Sequence, residues 1–194
     1  MSVFAEHLLA GKHAFIAGGT SGINLGIARR LVQAGARASL LGRNVERGQA
    51  AVQQLKDAGG EAAFHQADVR EYVAMERALR EAVAQWGPLD ILVNGAAGNF
   101  PAPALGMSSN GFRAVVDIDL VGTFNGCRAG FEHLRQPGGV VVNVSAPQAF
   151  APAPFQSHVC AAKAGVDMLT RVLAMEWGGA GVRVNAITPG PIAG

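Results

Sequence analysis

Cysteine is scarce in this chain: Cys127 and Cys160 stand far apart, with no C-x-x-C pair. That excludes a disulfide framework and offers no zinc-binding spacing, so no metal site is expected and a reducing, cytoplasmic setting is. Charge is equally sparse. Asp, Glu, Lys and Arg make up 15% of the residues, the formal net charge is +2 and no run of one sign occurs, which excludes a nucleic-acid surface. No uninterrupted apolar run reaches the ~18 residues of a membrane span. The N-terminal "MSVFAEHLLAGKHAFIAGG" meets charges too early for the apolar region of a signal peptide. Tyrosine occurs once, as Tyr72, so any chemistry that needs a phenol has a single candidate. No repeat, low-complexity tract or linker interrupts residues 1–194, which predicts one domain long enough to bury a sizeable core.

What the chain does have is alternation of short β-rich runs with longer helix-compatible segments. The expected strands are 13–17, 36–41, 61–66, 90–94, 140–144 and 182–187. Between them lie helical segments at 23–35, 45–60, 71–87, 108–134 and 158–178, four of them closed by the glycine that commonly ends a helix. This is the pattern of βαβ units, and right-handed crossovers then give a single Rossmann-type, doubly wound parallel sheet with ligands at the carboxyl ends of its strands. The proline-rich "APQAFAPAPF", 146–155, reads as a loop joining a buried strand to a helix of the same domain.

The first chemical signal is "FIAGGTSGINLGIARR", where a strand runs into a glycine-rich turn and then a helix. Gly18, Gly19 and Gly22 permit a tight turn and close approach to a phosphate. Thr20, Ser21 and Ile23 sit in the same turn, and the helix N-terminus attracts a pyrophosphate. Taken with Asp68-Val69 after the third strand, "NGAAG" at 94–98 after the fourth, Lys163, and "RVNAITPGPI" at 183–192, the chain resembles the short-chain dehydrogenase/reductase family in order and spacing. The resemblance implies a dinucleotide held by the turn, by Asp68 and Val69 at the adenine, and by Ala96. It also implies that Asn94 steadies the central strand, that Lys163 holds the nicotinamide ribose, and that Pro189, Gly190 and Ile192 close over the nicotinamide. One departure lies in the turn: the family's third glycine is Asn24 here, with Gly26 as the candidate to compensate. At the end of the second strand, "SLLGRN" places Gly42 where an acidic residue would select NAD, followed by Arg43, which can pair with a 2′-phosphate. NADPH is therefore expected over NADH.

The family's catalytic tetrad of asparagine, serine, tyrosine and lysine survives here only as Lys163. The other positions fall on Asp119, Ala146 and Val159, and Tyr72 belongs to a helix expected to pack away from the nicotinamide. This set of losses, with "NGAAGNF", "DIDLVGTFN" and "HVCAAKAGVDMLTRVLAMEWG", is similar to one branch of the family, the 2,4-dienoyl-CoA reductases of peroxisomal type. The mitochondrial type carries a tyrosine near the position of Gln148. Hydride addition to a conjugated thioester gives a delocalised enolate that can be protonated at carbon, so a held water can replace a phenol. The resemblance thus implies an NADPH-dependent reductase of an acyl-CoA double bond. In that reading Asp119 and Lys163 are catalytic, and Asn99, Phe100 and Ser145 are candidates at the substrate; His158 is a candidate relay set against a local structural role. A reductase of another carbonyl or enone, or a non-catalytic nucleotide-binding module, remains open at this point. The family pattern also implies a homodimer or homotetramer through 108–135 and 157–178. Beyond "TPGPIAG" it implies a substrate lid, a further helix and a seventh strand that the 194 residues do not include.

Overall fold

A computed structural model of the protein describes residue 5 and residues 7–192; of the N-terminal stretch read above for targeting, 1–4 and 6 lie outside it. The strands are β1 (His13–Ala17), β2 (Arg37–Gly42), β3 (Ala62–Gln66), β4 (Ile91–Asn94), β5 (Val140–Val144) and β6 (Arg183–Ile187). All pair in parallel, in the order β3-β2-β1-β4-β5-β6. Each agrees with its sequence expectation to within one residue at either end, the usual ambiguity of a ladder terminus. Because the chain winds outward from β1 through β3 and then returns to place β4 beside β1, the direction of winding reverses between those two strands. A crevice therefore opens at their carboxyl ends.

Five α-helices cover the two faces, α1 (Gly22–Gln33), α2 (Val45–Asp57), α3 (Tyr72–Trp86), α4 (Ser109–Val116) and α5 (Gly122–Gly130), and a sixth, α6 (Ser157–Trp177), completes the second layer. Successive strand residues face opposite sides, as the pleat requires. Phe15 and Ala17 join Met75, Leu79, Leu92 and Leu173 in one core beneath α3, α5 and α6. Ala14 and Ile16 join Ala28, Val32, Leu40 and Leu55 in the other, beneath α1 and α2. Burial of the inner strands on both faces explains why β1 and β4 read as short, nearly continuous apolar runs, while the edge strand β6 is largely exposed. Tyr72, partly buried, packs against the first core, in keeping with a structural role.

The segment 108–134 departs from the single helix expected. A wider π turn, Asp117–Val121, separates α4 from α5, and a 3₁₀ turn, Phe131–His133, follows. The periodicity of apolar residues cannot report one extra residue in a helical turn, and such bulges commonly sit at functional sites. This one carries Asp119. Beyond it, α5 lies close on the sheet through glycines spaced by four: an added Cβ would stand 2.6 Å from Val69 at Gly122, 2.1 Å from Asn94 at Gly126 and 2.6 Å from Leu92 at Gly130. That close approach fixes the height of Asp119 above the strand ends.

Candidate active site

The crevice at the strand ends is a cleft of about 530 Å³. At one end stands the glycine-rich turn. Gly18 has a left-handed φ of 78°, and a Cβ there would lie 2.7 Å from the Ala96 Cα, so only glycine lets the turn meet the loop after β4. Helix α1 begins just beyond, with no side-chain cap and no acidic residue in its first turn, which leaves its amides free for an anion. These features fit a dinucleotide pyrophosphate. Of the residues expected to bind it, Gly18, Thr20, Ser21, Ile23, Arg43, Asp68, Val69, Ala96, Lys163 and Pro189 line the cleft.

Four expected cofactor positions do not. Gly22 is exposed at the start of α1, with a φ of 56° that serves the turn itself. Gly190 and Ile192 run on past β6 into solvent, and of that segment only Pro189 reaches the cleft. Asn94 is buried and turned toward β5, where its Nδ2 donates to Asn143 Oδ1 at 3.0 Å and Cys127 Sγ at 3.2 Å. It steadies the central strands, as the resemblance implied, without lining the cleft. Asn143 in turn donates to Thr170 Oγ1 at 2.9 Å, which ties α6 to the sheet. Burial pushes the Cys127 thiol up to about 12, so it is inert, and both cysteines are free.

At the ends of β2 and β3, Asp68 is held by Arg70, whose Nε and terminal nitrogen donate at 3.0 and 2.6 Å and keep the carboxyl below the usual carboxylate range. Arg43 stands 3.8 Å from the same carboxylate with its side chain 66% exposed, aligned but not consumed by that pair. Arg47 also lines the cleft here, on the first turn of α2, where Asn44 accepts its backbone N–H at 2.7 Å. Sequence reasoning missed Arg47, although a basic residue one turn past Arg43 was its signal.

The π turn and α6 bring Asp119 and Lys163 together in the interior. Lys163 Nζ donates to the Val144 carbonyl at 2.9 Å and lies 3.3 Å from Asp119 Oδ2; both side chains are buried. Gly98 N–H donates to Asp119 Oδ1 at 2.7 Å. Burial raises the Asp119 carboxyl above its ordinary value, with the Lys163 charge pulling the other way. The approach of Nζ to Oδ2 is an ion pair without hydrogen-bond alignment, so Oδ2 keeps an accepting site that no described residue fills. The Ser145 hydroxyl, buried at the end of β5, also lacks a partner among the described residues. Val159, Ala146 and Gln148 line the cleft where the family places or could place hydroxyl donors.

Asn99 lines the cleft and donates to Gln156 Oε1 at 3.4 Å; Gln148 donates to the same oxygen at 3.0 Å. Gln156, unforeseen in the sequence, thereby joins the two loops at the mouth. Phe100 does not line the cleft; its ring packs edge-on against His158 at 4.6 Å. His158 is fully buried and accepts the Val159 N–H on Nδ1 at 2.9 Å. The local structural role is thus the one the geometry supports.

A doubly wound sheet, a glycine turn at the reversal of winding and a buried lysine beside the cleft are features that fit dinucleotide binding, and the chain belongs to the short chain dehydrogenase family, whose sequence profile matches residues 12–194. Among curated proteins it is 42% identical over 203 residues to a peroxisomal 2,4-dienoyl-CoA reductase, (3E)-enoyl-CoA-producing, of Arabidopsis thaliana, covering 100% of this chain and 68% of that protein. It is 40% identical to a probable 2,4-dienoyl-CoA reductase, (2E)-enoyl-CoA-producing, of Bacillus subtilis, covering 93% of this chain and 72% of that one. Among solved structures, a citronellol catabolism dehydrogenase of Pseudomonas aeruginosa PAO1 superposes with a TM-score of 0.93 at 36% identity, over 99% of this chain and 79% of that one. The chain spans about two thirds of the length of the peroxisomal reductases it resembles.

Proposed function

We propose that the protein reduces a conjugated carbon–carbon double bond of a 2,4-dienoyl-CoA thioester with NADPH. The observation that carries this is the buried Asp119–Lys163 pair at a cleft whose tyrosine position is Val159. A nicotinamide dinucleotide held by the glycine-rich turn, Asp68 and Lys163 would supply the hydride, and reduction of the diene would then place developing negative charge on the thioester oxygen. Lys163 places positive charge beside that developing enolate, and the Ser145 hydroxyl has a free proton to donate to the oxygen. Asp119 Oδ2 has the open accepting site needed to hold a water. That water gives its proton to carbon as the enolate collapses, and the hydroxide recovers a proton from solvent. Phe150 and Phe155, exposed on the loop that Gln156 ties to the mouth, give an acyl chain an apolar rim.

The test is to follow NADPH absorbance with 2,4-dienoyl-CoA, with a panel of ketones and with no substrate. Oxidation confined to the dienoyl thioester supports the proposal. Turnover of ketones alone overturns it, and binding without oxidation leaves a nucleotide-binding module. The cofactor half rests on Gly42, Arg43 and Arg47 at the ribose end. Arg43→Ala should weaken NADPH binding by about 1.5–3 kcal/mol, roughly 10- to 150-fold in Kd, and leave NADH nearly unchanged. Equal losses for both cofactors in fluorescence titration would remove the argument for a 2′-phosphate site.

Two extensions belong to the same reading. Phe112, Phe124, Met168, Val172 and Met175 expose apolar surface on α4, α5 and α6, which supports pairing of these helices in a dimer or tetramer measurable by light scattering. The two unpaired thiols suit a reducing compartment such as the cytoplasm.

A further inference from the structure

The geometry points to Asn24 as a positioning residue: its side-chain amide staples the glycine-rich turn to the loop after β4 and thereby sets the width of the cofactor cleft, with Gly95 as its obligate small partner. Residue 24 lies in the first turn of α1, at the position where the family resemblance places a glycine. A side chain there would be expected to push the helix off the strand, and Gly26 would be the residue to make room. The structure shows otherwise, since a Cβ at Gly26 would meet nothing within 4 Å and so relieves nothing. The room is made across the cleft. A Cβ on Gly95 would stand 2.1 Å from Asn24 Oδ1, 2.5 Å from its Cγ and 2.6 Å from its Nδ2. The side chain at 24 therefore occupies the volume that a side chain at 95 would need.

In that volume Asn24 Nδ2 donates to two backbone carbonyls, Gly95 O at 2.7 Å and Gly18 O at 3.3 Å. Gly18 belongs to the turn that follows β1, and Gly95 to the loop that follows β4. The two strands are hydrogen-bonded neighbours, with Ala17 opposite Asn94, so their continuations leave the sheet side by side and form the floor of the cleft. One amide group thus bridges the two segments between which a dinucleotide must lie.

Asn24 Oδ1 is buried and has no partner among the described residues. A buried acceptor left unpaired opposes folding, which offsets the two donated bonds. The staple is therefore close to neutral for the stability of the empty protein, and its effect is to hold two loops in one register for a ligand. Glycine at 24 would spare the orphan oxygen but leave the turn and the loop held by the Gly95 N–H to Ala17 carbonyl bond, 3.1 Å, and by the close approach of Gly18 to Ala96.

This inference rests on the nucleotide-binding reading of the cleft, and the experiment separates the two. NADPH affinity, by fluorescence titration, and the melting temperature of the protein without nucleotide are measured for wild type, Asn24→Gly, Asn24→Asp, Gly95→Ala and the double variant Asn24→Gly with Gly95→Ala. Asn24→Gly should weaken NADPH binding about tenfold while the melting temperature stays within about 3 °C. Asn24→Asp keeps the shape but turns acceptors toward two carbonyl oxygens, so it should bind more weakly still. Gly95→Ala should lower the melting temperature by about 5 °C or more and lose NADPH binding. Adding Asn24→Gly to it should restore the melting temperature and much of the affinity, because the collision is removed. If wild type binds no nucleotide, the reading of the cleft fails first. If wild type binds and Asn24→Gly and Asn24→Asp bind equally well, or if Gly95→Ala is no better tolerated without Asn24, the staple is overturned.

Discussion

Asp119→Ala and Lys163→Ala should each lose on the order of 10²-fold or more in turnover of 2,4-dienoyl-CoA, the scale for general acid–base groups and the residues that position them. Alanine at either site also leaves its partner as an uncompensated buried charge, which costs about 3–5 kcal/mol of stability. The informative variant is therefore Asp119→Asn, which keeps an oxygen to accept the Gly98 N–H, assayed alongside a thermal melt and an NADPH titration. It should bind nucleotide and remain folded while turnover falls. The pH profile adds a second readout. The ionised carboxylate is the form that pairs with Lys163 and accepts from water, and burial raises its titration above the ordinary aspartate value. Activity should therefore fall as pH drops through that raised value, giving an acid limb above the usual carboxylate range that Asp119→Asn abolishes. Val159→Tyr supplies the contrast. A mechanism that never uses a phenol gains nothing from one, so dienoyl reduction should stay level or drop as the ring crowds the cleft. A Val159→Tyr protein that acquired ketone reductase activity from an inactive parent would instead reveal a damaged ketone reductase, and the dienoyl-CoA proposal would fall.

Gly18→Val should abolish nucleotide binding and destabilise the protein. A β-branched residue pays about 1–2 kcal/mol for a left-handed φ. Its Cβ must also displace the Ala96 backbone from 2.7 Å, a further overpacking cost of about 1–3 kcal/mol. The melting temperature should drop by about 5 °C or more. NADPH should show no saturable binding, because the turn and the loop after β4 can no longer share the cleft floor. A Gly18→Val protein that bound NADPH with wild-type affinity would show that the nucleotide lies elsewhere. Gly22→Ala is the control: its φ is also left-handed, but a Cβ there meets nothing within 4 Å, so strain without collision should cost less.

The strands, their parallel pairing and the place of the glycine turn were all legible in the sequence, because each depends on local composition and on the alternation of strands with helices. Short apolar runs such as Ala14–Ala17, Ile91–Val93 and Val140–Val142 report buried strands, and glycine at 18 and 22 reports backbone that other residues resist. Roles carried by direction were less legible. Asn94 and Ala96 are two residues apart in one motif, yet Asn94 faces β5 and Ala96 faces the cleft. Phe100 was expected to meet substrate and packs on His158 instead, in a loop that the Gly98 N–H to Asp119 bond ties to a residue distant in sequence. Gln156 was invisible because its importance lies in joining two loops that are distant in sequence.

By itself the sequence determined the doubly wound class, the strand ends that carry the site, and the identity of the groups that remain once tyrosine, serine and asparagine are subtracted. The first two follow from periodicity, turn chemistry and residue type, which act over a few neighbouring positions; the third follows from the family resemblance. Only the tertiary structure decided that Asp119 sits on a π turn facing Lys163, that burial raises its carboxyl above the ordinary aspartate value, and that Asn24 and Gly95 exchange volume across the cleft floor. The physical reason is common to all three. Electrostatic pairing, desolvation and steric exclusion depend on distances between residues 44 and 71 positions apart along the chain, and those distances exist only after the sheet has brought its strand ends together.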